Sequence, residues 1–416
     1  MSEVSASEPA PGSGGVKARH GRGWVGRIGV ALFALVLVSG VGALVCRAVI
    51  GWVFPVGSES MEPAIMTGES VFLRYGKKIG RRFDVVAFKD PAGGASIKRA
   101  AALPDERVMV NASGDLLING AFLPVEPGRP EPVPIFDSKL QSIADHWRHG
   151  GTAFDPWAWE PGAAPGESDV YTLDGDAVQR GSDLGLLRFQ DRVTDGYLTN
   201  EGQCVQGPNV VHDIIVEFEV KVLSAGGVIR VQISEESDWF AAYLPVYSGE
   251  GVSTMLLKRI RPSRFGDEGP DSFLGSLDTR IPLGEWVRIR LANIDNHVYL
   301  SVGDATCTGK YARNTPRLNP MGFPEAPFSA GERVKLGGNG LDLQVRNVRV
   351  LRDYYILPRG DFGVGRELLL GSDEFFVLGD NTVRSRDSRD RGPIPLERLI
   401  GTAKAVVRPL GGFRKL

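Results

Sequence analysis

The sequence is poor in the residues that would signal metal or redox chemistry. Three cysteines among 416 residues are too few for a disulfide scaffold or a four-cysteine zinc site. The five histidines are scattered and include no HExxH pair, so neither a metal nor any other cofactor is expected. No charge of one sign dominates. Lys and Arg number 48 against 50 Asp and Glu, a net charge of −2, so no basic field recruits nucleic acid, and a nucleic-acid partner is excluded from the expectation. What the chain has in plenty is 53 Gly and 27 Pro, which suits many short strands joined by turns better than a helix bundle. Its length exceeds the roughly 250–300 residues at which a single core stops growing, so two folded units are expected.

Long apolar runs are equally scarce, and the one that stands out is N-terminal. Residues 1–22 are small and polar and read as a disordered cytoplasmic tail. From Ile28 to Val45 there is no charge, and with its flanks the run over 24–47 reaches the ~20 residues a bilayer helix needs. Lys17, Arg19, Arg22 and Arg27 precede it, which keeps the tail inside and sends everything after about residue 50 outward. The expectation is a single-pass protein of the cell (inner) membrane, with a cytoplasmic N-terminus and the bilayer itself as a partner. A cleaved signal peptide has the same charge-then-apolar order and stays open as the alternative. Val45 is too large for the position before a lipidated cysteine, so Cys46 reads as an ordinary membrane-edge residue.

Beyond the run the chain is mainly β. Strands are expected at 70–74, 84–88, 107–110, 116–118 and 122–125, the last two joined by Asn119-Gly120, a pair that supplies the positive φ angles of a type I′ turn. Proline-rich stretches at 124–134 and 157–166 mark a domain edge. From 168 to 352 the pattern becomes strict alternation, as in IIVEFEVKV (214–222), VIRVQIS (228–234), WVRIRLAN (286–293) and VRNVRVL (345–351). Strands of this kind and spacing argue a two-sheet antiparallel sandwich. Cys204 and Cys307 both fall inside it, either as a disulfide or as two unpaired thiols. After Tyr354 the earlier character returns, with strands at 374–381 and 402–407.

Shortly after the apolar run comes Gly57-Ser58-Glu59-Ser60-Met61-Glu62-Pro63. Most serines in such a turn merely cap backbone groups; the company of this one is unusual. Ile97-Lys98-Arg99-Ala-Ala-Ala-Leu-Pro104 sets a lysine in an apolar strand, where desolvation lowers its pKa enough for it to accept a proton. Gly379-Asp380-Asn381, followed by Ser385, Asp387, Ser388 and Arg389, is a dense polar cluster after an apolar strand.

These segments resemble the boxes of the bacterial type I signal peptidases, membrane-anchored serine proteases with a Ser-Lys dyad. The serine turn resembles SxSMxP, Arg82–Phe88 resembles RGDIVVF, residues 97–104 resemble IKRxxxLP, and 379–389 resemble GDN…SxDSR. By this resemblance Ser60 is the nucleophile and Lys98 the base, Ser58 donates to the oxyanion, Ser385 orients the lysine, and Asp387 with Arg389 braces the site. Val56, Met61, Ile65, Ser96 and Ile97 would line the substrate pockets. The implied activity is removal of signal peptides from secreted preproteins, cut after a small residue. Three departures stand out: Phe83 and Asp105 replace family glycines, and GDN is followed by Thr382-Val383.

The resemblance leaves residues 126–353 outside it. The expected organisation is a discontinuous signal-peptidase-like β domain (50–125 and 355–416) with an inserted concanavalin or jelly-roll-like β-sandwich (126–353). The insert is expected to be dispensable for the chemistry and to bind secretion machinery, a neighbouring envelope protein or an envelope glycan. Trp147, Trp157, Trp159 and Trp239 could stack on sugars, although core packing is the commoner use of tryptophan. The competing reading is a membrane-tethered binding protein whose sandwich recognises glycan or protein beside a structural peptidase remnant. A penicillin-binding or β-lactamase-like acyl enzyme is excluded, because no serine here has a lysine three positions on.

Overall fold

The computed structural model describes residues 32, 33, 35, 52–91, 93–123, 128–149, 156–160, 162, 167–175, 185–235, 238–249, 251–260, 273–312, 332–407 and 413–416. The expected span at 24–47 lies outside these residues apart from Leu32, Phe33 and Leu35, which are helical and exposed. Among the described residues no helix is long and apolar enough to cross a membrane.

The structure is mainly β and its sheets fall into two sets. In the first, an antiparallel sheet runs in the order Trp52–Pro55, Ser70–Tyr75, Leu399–Val407, Val85–Lys89, Ala95–Ala102, Glu374–Leu378 and Ile394–Pro395, with Phe413–Lys415 added beside Leu399–Val407. A smaller sheet joins Leu368–Leu369, Arg107–Val110, Leu116–Ile118 and Ala121–Phe122. Early and late parts of the chain interleave in both sheets, so neither part can complete its ladders alone. Asn119 and Gly120 take φ of 52° and 77°, as the expected type I′ turn requires.

The two non-glycine residues at family glycine positions, Phe83 and Asp105, also stand at positive φ, 63° and 65°. Phe83 offsets that strain by burying its ring in a core with Val108, Ile118 and Phe376. Asp105 lies exposed at a turn, where Asp tolerates this conformation better than most residues.

In the second set two sheets face each other. One contains Trp157–Glu160, Val170–Leu173, Leu343–Arg352, Ile214–Val222, Trp286–Ile294, His297–Val302 and Ala305–Lys310, with Val133–Asp137 beside Leu343–Arg352. The other contains Phe273–Thr279, Ser253–Ile260, Asp238–Val246, Gly227–Glu235, Val334–Asn339, Leu186–Phe189 and Trp147–His149. Their inner faces share one core, with Val216, Phe218 and Leu343 from the first sheet against Ile229, Phe240 and Leu257 from the second. The alternation read from the sequence is visible in Ser253–Ile260, where buried residues alternate with more exposed ones. Cys204 and Cys307 are free thiols, which corrects the disulfide option; burial pushes the pKa of both up. Trp147, Trp157 and Trp239 are buried, and Trp159 is exposed.

The strands that enter and leave this sandwich pair with each other, Val133 opposite Arg352 and Pro134 opposite Leu351. Beside this stem Arg129 pairs with Asp295 at 2.6 Å and with Asp353, tying the entering chain to the sandwich and to the returning chain.

Among the described residues the main core of the sandwich draws on none before 135 or after 350. Each fully buried branched or aromatic side chain contributes about 1.5–3 kcal/mol, so residues 126–353 expressed alone should be soluble and melt cooperatively. A fragment with poorly dispersed amide signals and no cooperative melt would show that the sandwich depends on the rest of the chain.

Candidate active site

Sequence-distant segments converge at Ser60. Strand Trp52–Pro55 feeds a single 3-10 turn, Glu59–Met61, in which Ser60 and Met61 are buried. Strand Ala95–Ala102 runs through the middle of the first sheet and carries Lys98 inward. Lys98 Nζ lies 2.6 Å from Ser60 Oγ and 3.1 Å from the carbonyl oxygen of its neighbour Ile97. Ser58 Oγ is 3.1 Å from Ser60 Oγ.

Lys98 is 6 % exposed, and burial lowers its pKa below the ordinary 10.5, against the opposing pull of Asp387 and Asp380. Burial outweighs that pull, and each of these carboxylates is itself paired with an arginine. Asp380 accepts from Arg99 Nε and Nη2 at 2.7 and 2.8 Å. Asp387 accepts from Arg389 Nε and Nη2 at 2.9 and 3.0 Å and from the Gly379 N–H at 3.1 Å, and it caps the short helix Ser388–Arg391. Arg389 itself is 1 % exposed and donates onward to the carbonyls of Leu357 and Thr382 at 2.6 and 2.7 Å. The lysine therefore sits beside a hydroxyl in a desolvated site with no carboxylate of its own.

Ser385 is also buried here. An added Cβ on Gly379 would fall 2.4 Å from Ser385 Oγ and 2.5 Å from the Ser60 carbonyl oxygen, so glycine is required for this approach. Among the described residues the Ser385 hydroxyl has no hydrogen-bond partner, so the expected bond to Lys98 is not made in this structure. The backbone of the same segment holds the serine turn from the other side: the Asn381 N–H donates to the Ser60 carbonyl at 3.1 Å, and Arg384 pairs with Glu59.

A cleft of about 250 Å³ opens onto the pair, lined by Val56, Ser58, Ser60, Met61, Ser96, Ile97 and Lys98 among others. Of the five expected pocket residues only Ile65 is not on its wall; it is fully buried in the core beneath, with Val71 and Val85. One rim of the cleft is Trp52–Pro55, an edge strand, and the other is the start of Ala95–Ala102. Glu374–Leu378 pairs with that strand only from Arg99 onward, leaving residues 95–98 paired on one side only.

Sequence reading missed four contributors. Arg99 and Asp380 lie inside the quoted boxes, and a buried Arg beside a buried Asp is a signal that could have been used. Asp90, which accepts from Ser96 Oγ at 2.8 Å and pairs with Arg391, was signalled by nothing local. Tyr197 of the sandwich, whose hydroxyl donates to Glu62 at 2.8 Å, was not foreseeable either, and it places the insert in contact with the serine turn.

The family described as signal peptidase, peptidase S26, matches residues 25–146 and 352–408. The match falls on the segments that carry the Ser60, Lys98 and Asp387 cluster, and it skips most of the sandwich. No curated protein is matched by the chain. Among solved structures, a protein of unknown function with a galectin-like fold from Bacillus subtilis is similar at 10% identity, covering 54% of this chain and 97% of its own, with a TM-score of 0.31. A carbohydrate-binding module from Bacillus subtilis is similar at 7% identity, covering 48% and 94%, with a TM-score of 0.23. Domain 4 of an extracellular arabinanase from Geobacillus stearothermophilus, solved with arabinotriose, is similar at 12% identity, covering 61% and 98%, with a TM-score of 0.28. Likenesses this distant carry nothing about ligand.

Removing one member of a buried ion pair strands the other charge at a cost of about 3–5 kcal/mol. Asp380→Asn should therefore destabilise the protein by about that much in urea unfolding, whereas Arg81→Ala, which removes an exposed pair with Asp84, should change stability by less than about 1 kcal/mol. Equal effects would mean that the Arg99–Asp380 pair is solvated in solution.

Proposed function

We propose that the chain is a signal peptidase: a membrane-bound serine endopeptidase that removes signal peptides from secreted preproteins through Ser60 and Lys98. Residues 50–125 and 355–416 form its catalytic domain, and 126–353 its inserted domain. The observation that carries this reading is the 2.6 Å approach of a buried lysine, its pKa lowered by desolvation, to a buried serine hydroxyl at the floor of an open cleft. The family match over the same segments supports it.

The chemistry follows from these positions. Neutral Lys98 takes the proton of Ser60 as Oγ attacks the scissile carbonyl, and returns it to the leaving amine. Ser60 is the second residue of a one-turn helix, whose first amides have no partner within the turn, so its N–H can face the oxyanion together with the Ser58 hydroxyl. Ser385, with an unused hydroxyl beside Ser60, takes up Lys98 when a substrate orders the site. The substrate lies extended against the half-paired edge at 95–98, where main-chain bonds supply affinity, and Val56, Met61 and Ile97 leave room only for small side chains.

The purified protein in detergent should cleave a preprotein and a short signal peptide, and Ser60→Ala should abolish both, by at least about 10⁴-fold in kcat. Lys98→Arg stays charged at every working pH and should be as inactive as Lys98→Ala; activity retained in Lys98→Arg would reduce Lys98 to a positive contact. Chelators and substitution of any histidine should leave cleavage intact.

The pH profile has a definite sign. The reactive form is the neutral amine, so the rate should fall as pH drops through the pKa of Lys98, and the midpoint of that limb should lie below 10.5 because burial disfavours the ammonium. An acid limb that persists unchanged in a variant lacking Lys98 would assign the titration to another group.

A further inference from the structure

Among the described residues the serine turn is held from three directions: by Lys98 at Ser60, by the 381–384 backbone and Arg384, and by one side chain from the sandwich. Glu62, two residues after Ser60 and 8 % exposed, ends the 3-10 turn, its N–H donating to the Glu59 carbonyl. One oxygen of its carboxylate accepts from the backbone N–H and hydroxyl of Thr67 at 3.1 and 2.8 Å, and the other accepts from the Tyr197 hydroxyl at 2.8 Å. Among the described residues Glu62 makes no ion pair, so these bonds are what satisfy a nearly buried charge.

The tyrosine is itself fixed. It opens the small hairpin of Tyr197–Leu198 and Cys204–Val205, and its two preceding carbonyls, those of Gly196 and Asp195, accept from Arg352 at 2.9 and 3.3 Å. Arg352 is buried and is the last residue of the sandwich strand Leu343–Arg352. The Asp195 carboxylate accepts from the backbone N–H and side chain of Asn209 at 3.0 and 2.6 Å, closing the base of the loop. An added Cβ on Gly196 would lie 2.0 Å from the Val205 carbonyl oxygen, so the loop has no slack at the residue next to the tyrosine. Burial and the neighbouring carboxylate push the phenol up to about 12, so it remains a donor across the working range.

We propose that Tyr197 is a positioning residue through which the inserted sandwich sets the serine turn, by way of Glu62, in the conformation that brings Ser60 to Lys98. The inference rests on the reading of Ser60 and Lys98 as the catalytic pair. It also replaces the expectation that the insert is dispensable for the chemistry: a chain with 126–353 deleted would keep Ser60 and Lys98 but leave one oxygen of a nearly buried carboxylate without its donor. Tyr197 acts on the geometry of the turn, so its loss should slow the bound substrate's reaction and leave substrate binding alone.

The test uses the full-length protein and a short signal-peptide substrate, with wild type, Ser60→Ala, Tyr197→Phe, Glu62→Gln and the Tyr197→Phe/Glu62→Gln double variant. Tyr197→Phe keeps the ring and deletes one hydroxyl. It should lower kcat about tenfold, the factor expected for one lost hydrogen bond to a charged group, with KM unchanged. Amide hydrogen exchange over residues 58–68 should quicken in the same variant. The double variant should lose no more than the worse single variant, because both changes break one connection. Wild-type kcat and exchange in Tyr197→Phe, or losses that multiply in the double variant, would overturn the proposal. A rise in KM alone would also overturn it, by making Tyr197 a substrate contact. If the wild type shows no cleavage that depends on Ser60, the catalytic reading fails, and the exchange measurement still decides whether Tyr197 holds the turn.

Discussion

A lysine without a carboxylate is the constraint around which the first unit is arranged. Lys98 is buried, and the two acids nearest it in electrostatic effect, Asp380 and Asp387, are each already taken by a guanidinium. Both acids pull Lys98 toward its charged form, and burial outweighs them. Arg99 and Arg389 hold those two acids without touching the lysine among the described contacts, and the nearby Arg391 adds to the lowering that burial causes. Two buried ion pairs are a costly way to make a structure stable, since their desolvation can cancel their attraction.

The Gly379 segment shows how tightly this arrangement is packed. Its N–H binds Asp387, its carbonyl accepts from the Tyr354 hydroxyl at 3.0 Å, and its missing side chain lets Ser385 lie against the Ser60 backbone. Tyr354 is buried and lies just past the last sandwich strand, so the returning segment is anchored to the site within two residues of Arg352. The insert and the site are thus adjacent in sequence on its outgoing side and adjacent in space at Tyr197.

Much of this was readable in the sequence, for physical reasons that differ from place to place. Ile214–Val222 and Trp286–Ile294 were visible because a sheet with one dry face imposes a period of two. Ala305–Lys310 was missed because, at the rim of its sheet with mostly partly exposed side chains, threonine and glycine suffice and no apolar rhythm is needed. Phe83 and Asp105 were legible as departures but not as backbone conformations; only the structure shows that both stand at positive φ. Ser60, Lys98, Asp387 and Arg389 could be singled out because they stand in segments that resemble the boxes of a known family. Ile65 has the character of a pocket residue and turned out to belong to the core, since burial alone cannot tell a wall from its foundation. Tyr197 could not have been found at all: 135 residues separate it from Glu62, and a single tyrosine in a polar loop has no pattern.

The pairing of Val133 with Arg352 has a consequence for the chain as a polymer. More than two hundred residues depart from the first unit and come back at the same spot, with their two stems zipped together. Closing a flexible loop costs entropy that grows with the logarithm of its length, but here the cost is met within the sandwich, whose own ladder brings the stems side by side. To the sheets that surround Ser60 and Lys98, the excursion is topologically a short hairpin. The first unit can then condense at the speed set by its own contacts, and the size of what hangs from the stem is free to vary without lengthening that search.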